Sequence, residues 1–183
     1  MKIDLLEFLN KVNNEHSRNV SKISKLIAKK AGYSEKESNI IAQAAFFHDA
    51  GKIFLHPDIL NKPTALTLKE YEIIKTHTKI GYEKLNEAAQ ILAFAAIVAN
   101  EHHENIDGTG YNGLTGSKLH DYSKIVACAD VADALLSHRI YKKPWCIEKV
   151  KSYFTEQSGK KFAPEIVNIL HNIIDDVLIL IPH

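Results

Sequence analysis

The sequence predicts an all-α fold, a single-domain helical bundle over residues 1–183. Apolar residues recur at intervals of three and four along most of the chain, which is typical of amphipathic helices. The strict alternation of apolar and polar residues that indicates strands is scarce. The 183 residues suit one domain, and we expect a core at about 14–143 and C-terminal helices at about 147–180.

Two helices are predicted in the first 51 residues. The first runs from about residue 14 to residue 30, and Gly32 lies where a helix usually ends. Ser34 and Glu37 form a capping-box pattern that opens the second helix. We expect this second helix to run through the sequence FFHDA and to end at Gly51.

A predicted loop and two further helices follow. Prolines within residues 52–66 indicate the loop. Thr67 and Glu70 repeat the capping-box pattern and open a helix that carries His77 on an apolar stripe. The next helix is predicted from about residue 88 to 104 and ends in two adjacent histidines.

The remaining chain is predicted to contain one glycine-rich loop and three helices. The stretch DGTGYNGLTG at 107–116 has too many glycines for a helix. Helical spacing of apolar residues then predicts helices at about 123–137, 147–156 and 164–180.

Composition excludes several classes of protein. A net charge of +1 does not provide the basic surface of a general DNA or RNA binder. The two cysteines, Cys128 and Cys146, do not form a CxxC pair, and a reducing compartment suits them better than a disulfide framework. Neither a signal peptide nor a membrane-spanning run is recognisable, so we expect a cytoplasmic protein without membrane contact.

Seven side chains of the metal-ligand type occur at five separate points of the chain. They are His16, His48, Asp49, His77, His102, His103 and Asp130. Imidazole and carboxylate groups suit first-row divalent metals, and seven ligands exceed what one tetrahedral ion accepts. Two ions that share a bridging carboxylate would use all seven and would suit phosphoester hydrolysis.

Each candidate also has a structural explanation. His48 and Asp49 would equally suit the polar end of a helix. His77 alone in an apolar stripe is more often a hydrogen-bonded core residue. Asp130 lies among small and apolar residues and needs a cation or donors, while Asp133 is a competing ligand or a structural partner. The metal hypothesis rests on all five positions together.

The order of motifs resembles the HD-GYP family of the HD metal-dependent phosphohydrolase superfamily. The resemblance is carried by HDAGK at 48–52, HPDILNKP at 56–63, LTLKEYEIIKTHTKIG at 66–81, HHENIDGTGYNG at 102–113 and KIVACADVADALLSHRIYK at 124–142. It implies a helical phosphodiesterase that hydrolyses cyclic di-GMP to pGpG, and often to GMP. It also implies two or three metals, commonly iron or manganese.

The resemblance assigns roles to residues at matching positions. It implies that the seven side chains are metal ligands, with Asp49 as the bridging and catalytic carboxylate. Lys52 would approach the scissile phosphate, Arg139 and Lys142 would grip the nucleotide's phosphates, and Tyr111 would lie beside the guanine-binding cleft. We expect two divalent transition-metal ions, Fe or Mn, with Zn, Ni and Mg as alternatives.

Two positions depart from the family pattern. Asn112 replaces the proline of GYP, which frees φ and adds an N–H donor. Val12 stands where three-metal members carry a glutamate, and it cannot bind a metal. The 183 residues include no receiver or PAS domain, so we expect regulatory input through a partner protein or a homodimer. The alternatives to a cyclic di-GMP phosphodiesterase are a catalytically weak nucleotide-sensing or partner-docking module and a hydrolase of another nucleotide.

Overall fold

The computed structural model describes residues 5–88, 92–138 and 143–181, and within these ranges the chain is an assembly of α-helices. The helices are α1 (Leu5–Val12), α2 (Glu15–Lys30), α3 (Glu35–Phe46), α4 (Pro57–Leu60), α5 (Leu68–Ala88), α6 (Ala93–Glu101), α7 (Asp121–Leu136), α8 (Ile147–Gln157) and α9 (Pro164–Leu180), with a 3-10 helix at Ala50–Phe54. Among the described residues, the β-type pairing is an isolated bridge between Ser158 and Phe162. The predicted all-α class is confirmed.

The predicted capping boxes are present at the starts of α3 and α5. The Ser34 side chain accepts a hydrogen bond from the Glu37 N–H, and the Glu37 side chain accepts one from the Ser34 N–H. Thr67 and Glu70 make the same reciprocal pair at 2.7 and 3.3 Å. These bonds satisfy N–H groups that have no partner inside a helix, so they fix where each helix begins.

Helix α2 is the centre of the bundle, because it packs against α3, α7 and α9. Its inner face presents Val20, Ile23 and Ile27, each fully buried. Burial of an Ile or Val side chain stabilises a fold by about 1.5–3 kcal/mol. One hydrophobic cluster extends from α1 to α9, so the C-terminal helices pack on the same core as α2.

The second predicted helix is wrong at its C-terminal end. Helix α3 ends at Phe46, and His48 and Asp49 lie in the turn that leads into the 3-10 helix. The 3-10 helix packs against α5 so closely that a Cβ at Gly51 would lie 1.9 Å from the His77 carbonyl oxygen. Gly51 is therefore a site of close approach to α5, and the turn before it brings Asp49 towards His77.

Three further elements differ from the sequence prediction. Helix α1 was not predicted, and the predicted loop at 52–66 contains the end of the 3-10 helix and the short helix α4. The helix predicted from residue 88 to 104 is α6, which begins at Ala93 and ends at Glu101, while residues 89–91 lie outside the described ranges. Within the described residues, no helix combines the length and apolar character needed to cross a membrane.

We predict that Gly51→Ala destabilises the fold by about 3 kcal/mol or more, because the new methyl group would overlap the α5 backbone. Thermal unfolding measures the loss. Gly32→Ala is the matched control, since its left-handed φ of 92° adds strain but no atom lies within 4 Å of the new Cβ. Equal melting temperatures for the two variants would contradict the close approach at Gly51.

Candidate metal centre

The bundle brings all seven candidate ligands to one place from five separate elements. His16 lies in the first turn of α2, and His77 lies in the middle of α5. The turns after α3 and α6 carry His48-Asp49 and His102-His103, and α7 carries Asp130. Helix positions and helix ends directed into the interior of a bundle are a common way to build a metal site.

Asp49 is the centre of this cluster. Its Oδ1 lies 3.3 Å from His77 Nε2 and 3.6 Å from His102 Nε2. Its Oδ2 lies 3.3 Å from His48 Nε2 and 4.0 Å from His16 Nε2. Each carboxylate oxygen therefore faces a different pair of imidazoles.

Hydrogen bonds at Nδ1 orient three of the imidazole rings. His48 Nδ1 donates to the Ala45 carbonyl at 2.7 Å, and His77 Nδ1 donates to the Ile74 carbonyl at 2.6 Å. His102 Nδ1 reaches the Ala99 carbonyl at 3.0 Å. Since the carbonyl oxygens accept these protons, the neutral tautomer leaves each Nε2 lone pair facing Asp49, as metal ligation requires.

Asp133 lies behind His16, as the structural alternative for this carboxylate predicts. His16 Nδ1 lies 2.6 Å from Asp133 Oδ2, while His16 Nε2 lies 3.1 Å from Asp130 Oδ1. Asn19 and Ser137 also donate to Asp133 Oδ1, at 2.9 and 2.6 Å. A carboxylate behind a ligating histidine is a typical supporting arrangement in metal sites.

The donor atoms form two overlapping groups that share Asp49. One group consists of Asp49, His77, His102 and His103, and the other of His16, His48 and Asp49, with ligand atoms in each group within 4.8 Å of one another. His48 Nε2 and Asp49 Oδ1 are buried without a hydrogen-bond partner among the described residues. Buried polar atoms that lack partners are costly, and a divalent cation would satisfy them. The residues therefore fit divalent metal binding.

The pKa values in one of these donor groups favour the protonation states that bind a cation. Burial lowers the pKa of His102 to about 4 and that of His103 to about 2. Burial alone would raise the pKa of Asp49, but the neighbouring His48 and Lys52 hold it well below its usual range. At neutral pH the carboxylate is ionised and the two imidazoles are neutral, which are the ligating forms.

His16 behaves differently from the other histidines. Burial alone would lower the pKa of His16, but hydrogen bonds to Asp130 and Asp133 raise it to about 9. Below pH 9 its Nε2 carries a proton and donates to Asp130. That proton must leave before Nε2 can bind a metal.

Two of the predicted substrate-binding residues lie at the edge of the cluster. Lys52 Nζ donates to Asp49 Oδ2 at 2.6 Å from a partly exposed position. The Tyr111 ring lies 4.6 Å from the His103 ring, at an interplanar angle of 33°. Arg139 and Lys142, the other two, lie outside the described residues.

Sequence reasoning missed Lys161, in the loop between α8 and α9. This loop pairs with the chain after His103, since Ile106 N–H donates to the Lys161 carbonyl at 3.4 Å. Burial lowers the pKa of Lys161, and the charge of Asp130 opposes that shift. Lys161 therefore adds positive charge near the cluster. The segment SGKK carries no motif by which it could have been found.

The helical bundle and its interior cluster of imidazoles and carboxylates match the class of HD domain proteins. A family model described as "HD domain" matches residues 14–135. The chain belongs to this family, and the order of its motifs and its relatives place it in the HD-GYP type.

Three relatives are similar over most of this chain. The cyclic di-GMP phosphodiesterase response regulator RpfG of Xanthomonas campestris is 41% identical over 82% of the chain and 40% of its own length. A cyclic di-GMP phosphodiesterase of Thermotoga maritima is 39% identical over 89% of the chain and 45% of its own length. The 3'3'-cGAMP-specific phosphodiesterase 2 of Vibrio cholerae is 36% identical over 85% of the chain and 30% of its own length. The chain thus spans less than half the length of each relative.

Solved structures share the fold. Bd1817, an HDG"Y"P protein from Bdellovibrio bacteriovorus, superposes with a TM-score of 0.70 at 22% identity, covering 94% of this chain and 55% of that protein. The HD domain of phosphodiesterase PgpH from L. monocytogenes, in complex with cyclic-di-AMP, gives a TM-score of 0.63 at 20% identity, covering 94% and 93%. The predicted HD-type helical bundle is confirmed.

We predict that the two donor groups take up metal with different pH dependence. Filling the His16 group should release about one proton per chain at pH 7, and its affinity should rise about tenfold per pH unit up to the His16 pKa of about 9. Protonation of His102 should not limit the affinity of its own donor group above about pH 5, because burial lowers the pKa of His102 to about 4.

Calorimetric Mn²⁺ titration of the metal-free protein in buffers of different ionisation enthalpy measures the proton release for each step. Two steps with the same pH dependence, or no proton release at pH 7, would contradict the protonated state of His16.

Proposed function

We propose that this chain is a metal-dependent phosphodiesterase that hydrolyses cyclic di-GMP to pGpG, GMP or both. The single observation that carries the proposal is the position of Asp49, whose two oxygens face two separate sets of imidazole Nε2 atoms. One carboxylate between two donor groups is the arrangement that a pair of metal ions requires.

The proposed metal ligands are the seven predicted side chains. His77, His102 and His103 would hold one ion, His16, His48 and Asp130 the other, and Asp49 would bridge them. Iron or manganese suits this donor set, with Zn, Ni and Mg as alternatives. Two such ions supply Lewis acidity and lower the pKa of a bound water. Val12 is buried in the hydrophobic core with 4% exposure, which supports two ions rather than three.

The chain's own cations would hold the scissile phosphate. Lys52 Nζ lies 2.6 Å from Asp49 Oδ2, so a short movement of its flexible side chain would bring it to a phosphate oxygen beside the bridging carboxylate. We propose Lys52 as the group that stabilises charge developing on the phosphate in the transition state. Arg139 and Lys142 are proposed to grip the phosphates, and this assignment rests on the motif alone.

Tyr111 would provide an aromatic wall for the substrate. Its ring packs on His103 and makes an edge contact with Tyr71 at 6.1 Å. Lys75 Nζ lies 5.4 Å from the centre of the Tyr111 ring, which adds positive charge beside it. An aromatic face next to cations suits a nucleotide that carries both a planar base and phosphates.

The relatives support cyclic dinucleotides as the substrate class. Two are named for cyclic di-GMP and one for 3'3'-cGAMP, both cyclic dinucleotides with two phosphodiester bonds.

We also propose that residues 1–183 form one domain, because α9 packs on α2 within one hydrophobic core. A regulatory partner or a homodimer remains a proposal as well.

We predict that the protein purified with Mn²⁺ holds about two ions per chain, and that Asp49→Ala loses both because each ion shares this carboxylate. Elemental analysis measures the stoichiometry. Asp58→Ala is the matched control, since it removes a carboxylate whose side chain is 89% exposed, and it should retain both ions. Retention of two ions by Asp49→Ala would exclude Asp49 as the bridge.

We predict that the Mn²⁺-loaded protein converts cyclic di-GMP to linear products, detected by chromatography. The panel includes 3'3'-cGAMP, cyclic di-AMP and mononucleotides. Lys52→Ala should lower kcat by about tenfold to a hundredfold with metal content unchanged, because a charge-assisted contact in the transition state is lost. Binding of cyclic dinucleotides without turnover would identify a sensing module, and turnover of mononucleotides alone would identify another nucleotide hydrolase.

A further inference from the structure

A buried carboxylate fastens the glycine-rich loop after α6. Glu104 is 2% exposed, and it directly follows His102 and His103. Its Oε1 accepts hydrogen bonds from the backbone N–H of Asn112 at 2.7 Å and from Asn112 Nδ2 at 3.1 Å. Its Oε2 accepts the backbone N–H of Leu114 at 2.9 Å. Both carboxylate oxygens are thus directed to the loop.

The same loop lies directly against the turn that carries the two histidines. A Cβ at Gly110 would lie 2.4 Å from Glu104 Cα and 2.8 Å from the His103 carbonyl oxygen, so only glycine fits there. Asn112 Nδ2 also reaches the Asn100 carbonyl on α6, at 3.3 Å. Gly110 and Asn112 are therefore held on either side of Tyr111.

The ring of Tyr111 is the part of this loop that faces the metal cluster. It lies 4.6 Å from the His103 ring and 6.4 Å from the His77 ring. The backbone that carries Tyr111 is fixed by a contact at Gly110 and by hydrogen bonds at Asn112. The position of the ring over His103 therefore depends on those bonds.

We propose that Asn112 and Glu104 are positioning residues that hold Tyr111 at the substrate cleft, with the Asn112 backbone N–H as the principal contact. This rests on the proposed function, since the cleft is that of the proposed phosphodiesterase. Proline, which the family pattern GYP has at this position, has no N–H to donate to Glu104. This chain therefore fastens its loop through a hydrogen bond that a GYP loop lacks.

The strength of this contact follows from its chemistry. The Asn112 N–H lies 2.7 Å from Glu104 Oε1, which is a short N–H···O distance. Glu104 is buried, so removal of its partner leaves an uncompensated acceptor. Loss of the Asn112 N–H should therefore release the loop more than loss of the Asn112 side chain does.

The test compares Asn112→Pro, which removes the N–H and the side-chain amide, with Asn112→Ala, which keeps the N–H. We expect Asn112→Pro to raise KM for cyclic di-GMP by about tenfold or more and to leave kcat within about threefold. Asn112→Ala should raise KM by less than about fivefold. Metal content should equal that of the unmodified protein in both. Equal KM values for Asn112→Pro and the unmodified protein would overturn the proposal.

A double-mutant cycle separates positioning of Tyr111 from a general loss of structure. If Asn112 acts through Tyr111, Asn112→Pro should raise KM by less than about twofold in a Tyr111→Ala background. Additive effects of the two substitutions would overturn the proposal.

Glu104→Gln provides a second variant, because its amide offers one acceptor oxygen in place of two. The KM of this variant should fall between those of Asn112→Ala and Asn112→Pro.

Amide hydrogen exchange tests the hydrogen bonds between Glu104 and the glycine-rich loop without substrate. The Leu114 N–H should be protected in the unmodified protein and should exchange faster in Asn112→Pro and Glu104→Gln. If the unmodified protein hydrolyses none of the nucleotides tested but shows this exchange pattern, the proposed function is wrong, while the role of Glu104 in holding the loop is confirmed. Faster exchange with an unchanged KM would mean that the hydrogen bonds to Glu104 hold the loop but do not position Tyr111 for substrate binding. That result would overturn the proposal.

Discussion

The buried negative charge of Asp49 is the constraint on which the rest of the structure depends. An isolated carboxylate in the interior of a bundle is costly, and here Lys52 Nζ lies 2.6 Å from Asp49 while imidazole groups surround it. Those imidazoles come from four helices or helix ends, so the helices must pack with the geometry that keeps them near Asp49. The helices of this fold are therefore packed around the carboxylate of Asp49. Gly51 lacks a side chain because this packing leaves no space between the 3-10 helix and α5.

The ligand orientation is determined largely by local backbone bonds. His48, His77 and His102 each donate from Nδ1 to a carbonyl oxygen three residues earlier in the chain. Such a bond needs no distant partner, so each ring is oriented by its own helix or helix end. His16 is the exception, since its Nδ1 partner Asp133 comes from α7. The α2–α7 contact is consequently part of the candidate metal centre as well as part of the core.

Sequence patterns predicted most helices and the candidate ligands, which the structure places close together, but they did not predict the turns that bring these ligands together. Apolar spacing and two capping boxes located α2, α3, α5, α7, α8 and α9, because these signals act within a few residues. The end of α3 was predicted too late, since the turn at Phe47–Asp49 results from packing against α5. Lys161 was missed because it meets the cluster only through the tertiary fold.

Glu104 shows the same limit of sequence reasoning. Its position beside His102 and His103 was visible as part of a polar helix end. The hydrogen bonds from Asn112 and Leu114 depend on the path of the glycine-rich loop, which no local pattern determines. Asn112 departs from the family pattern and adds an N–H donor, and this donor is bonded to Glu104 Oε1.

The unsatisfied atoms His48 Nε2 and Asp49 Oδ1 have a consequence for the lifetime of the protein in a cell. A ligand that binds only the folded chain stabilises it by RT ln(1 + [L]/Kd), which is about 2.7 kcal/mol at a hundredfold excess of ligand over Kd. Chains that lack their ions would populate unfolded forms more often and would be degraded faster. The supply of metal would then influence the amount of this protein through its rate of degradation, in addition to the rate at which it is synthesised.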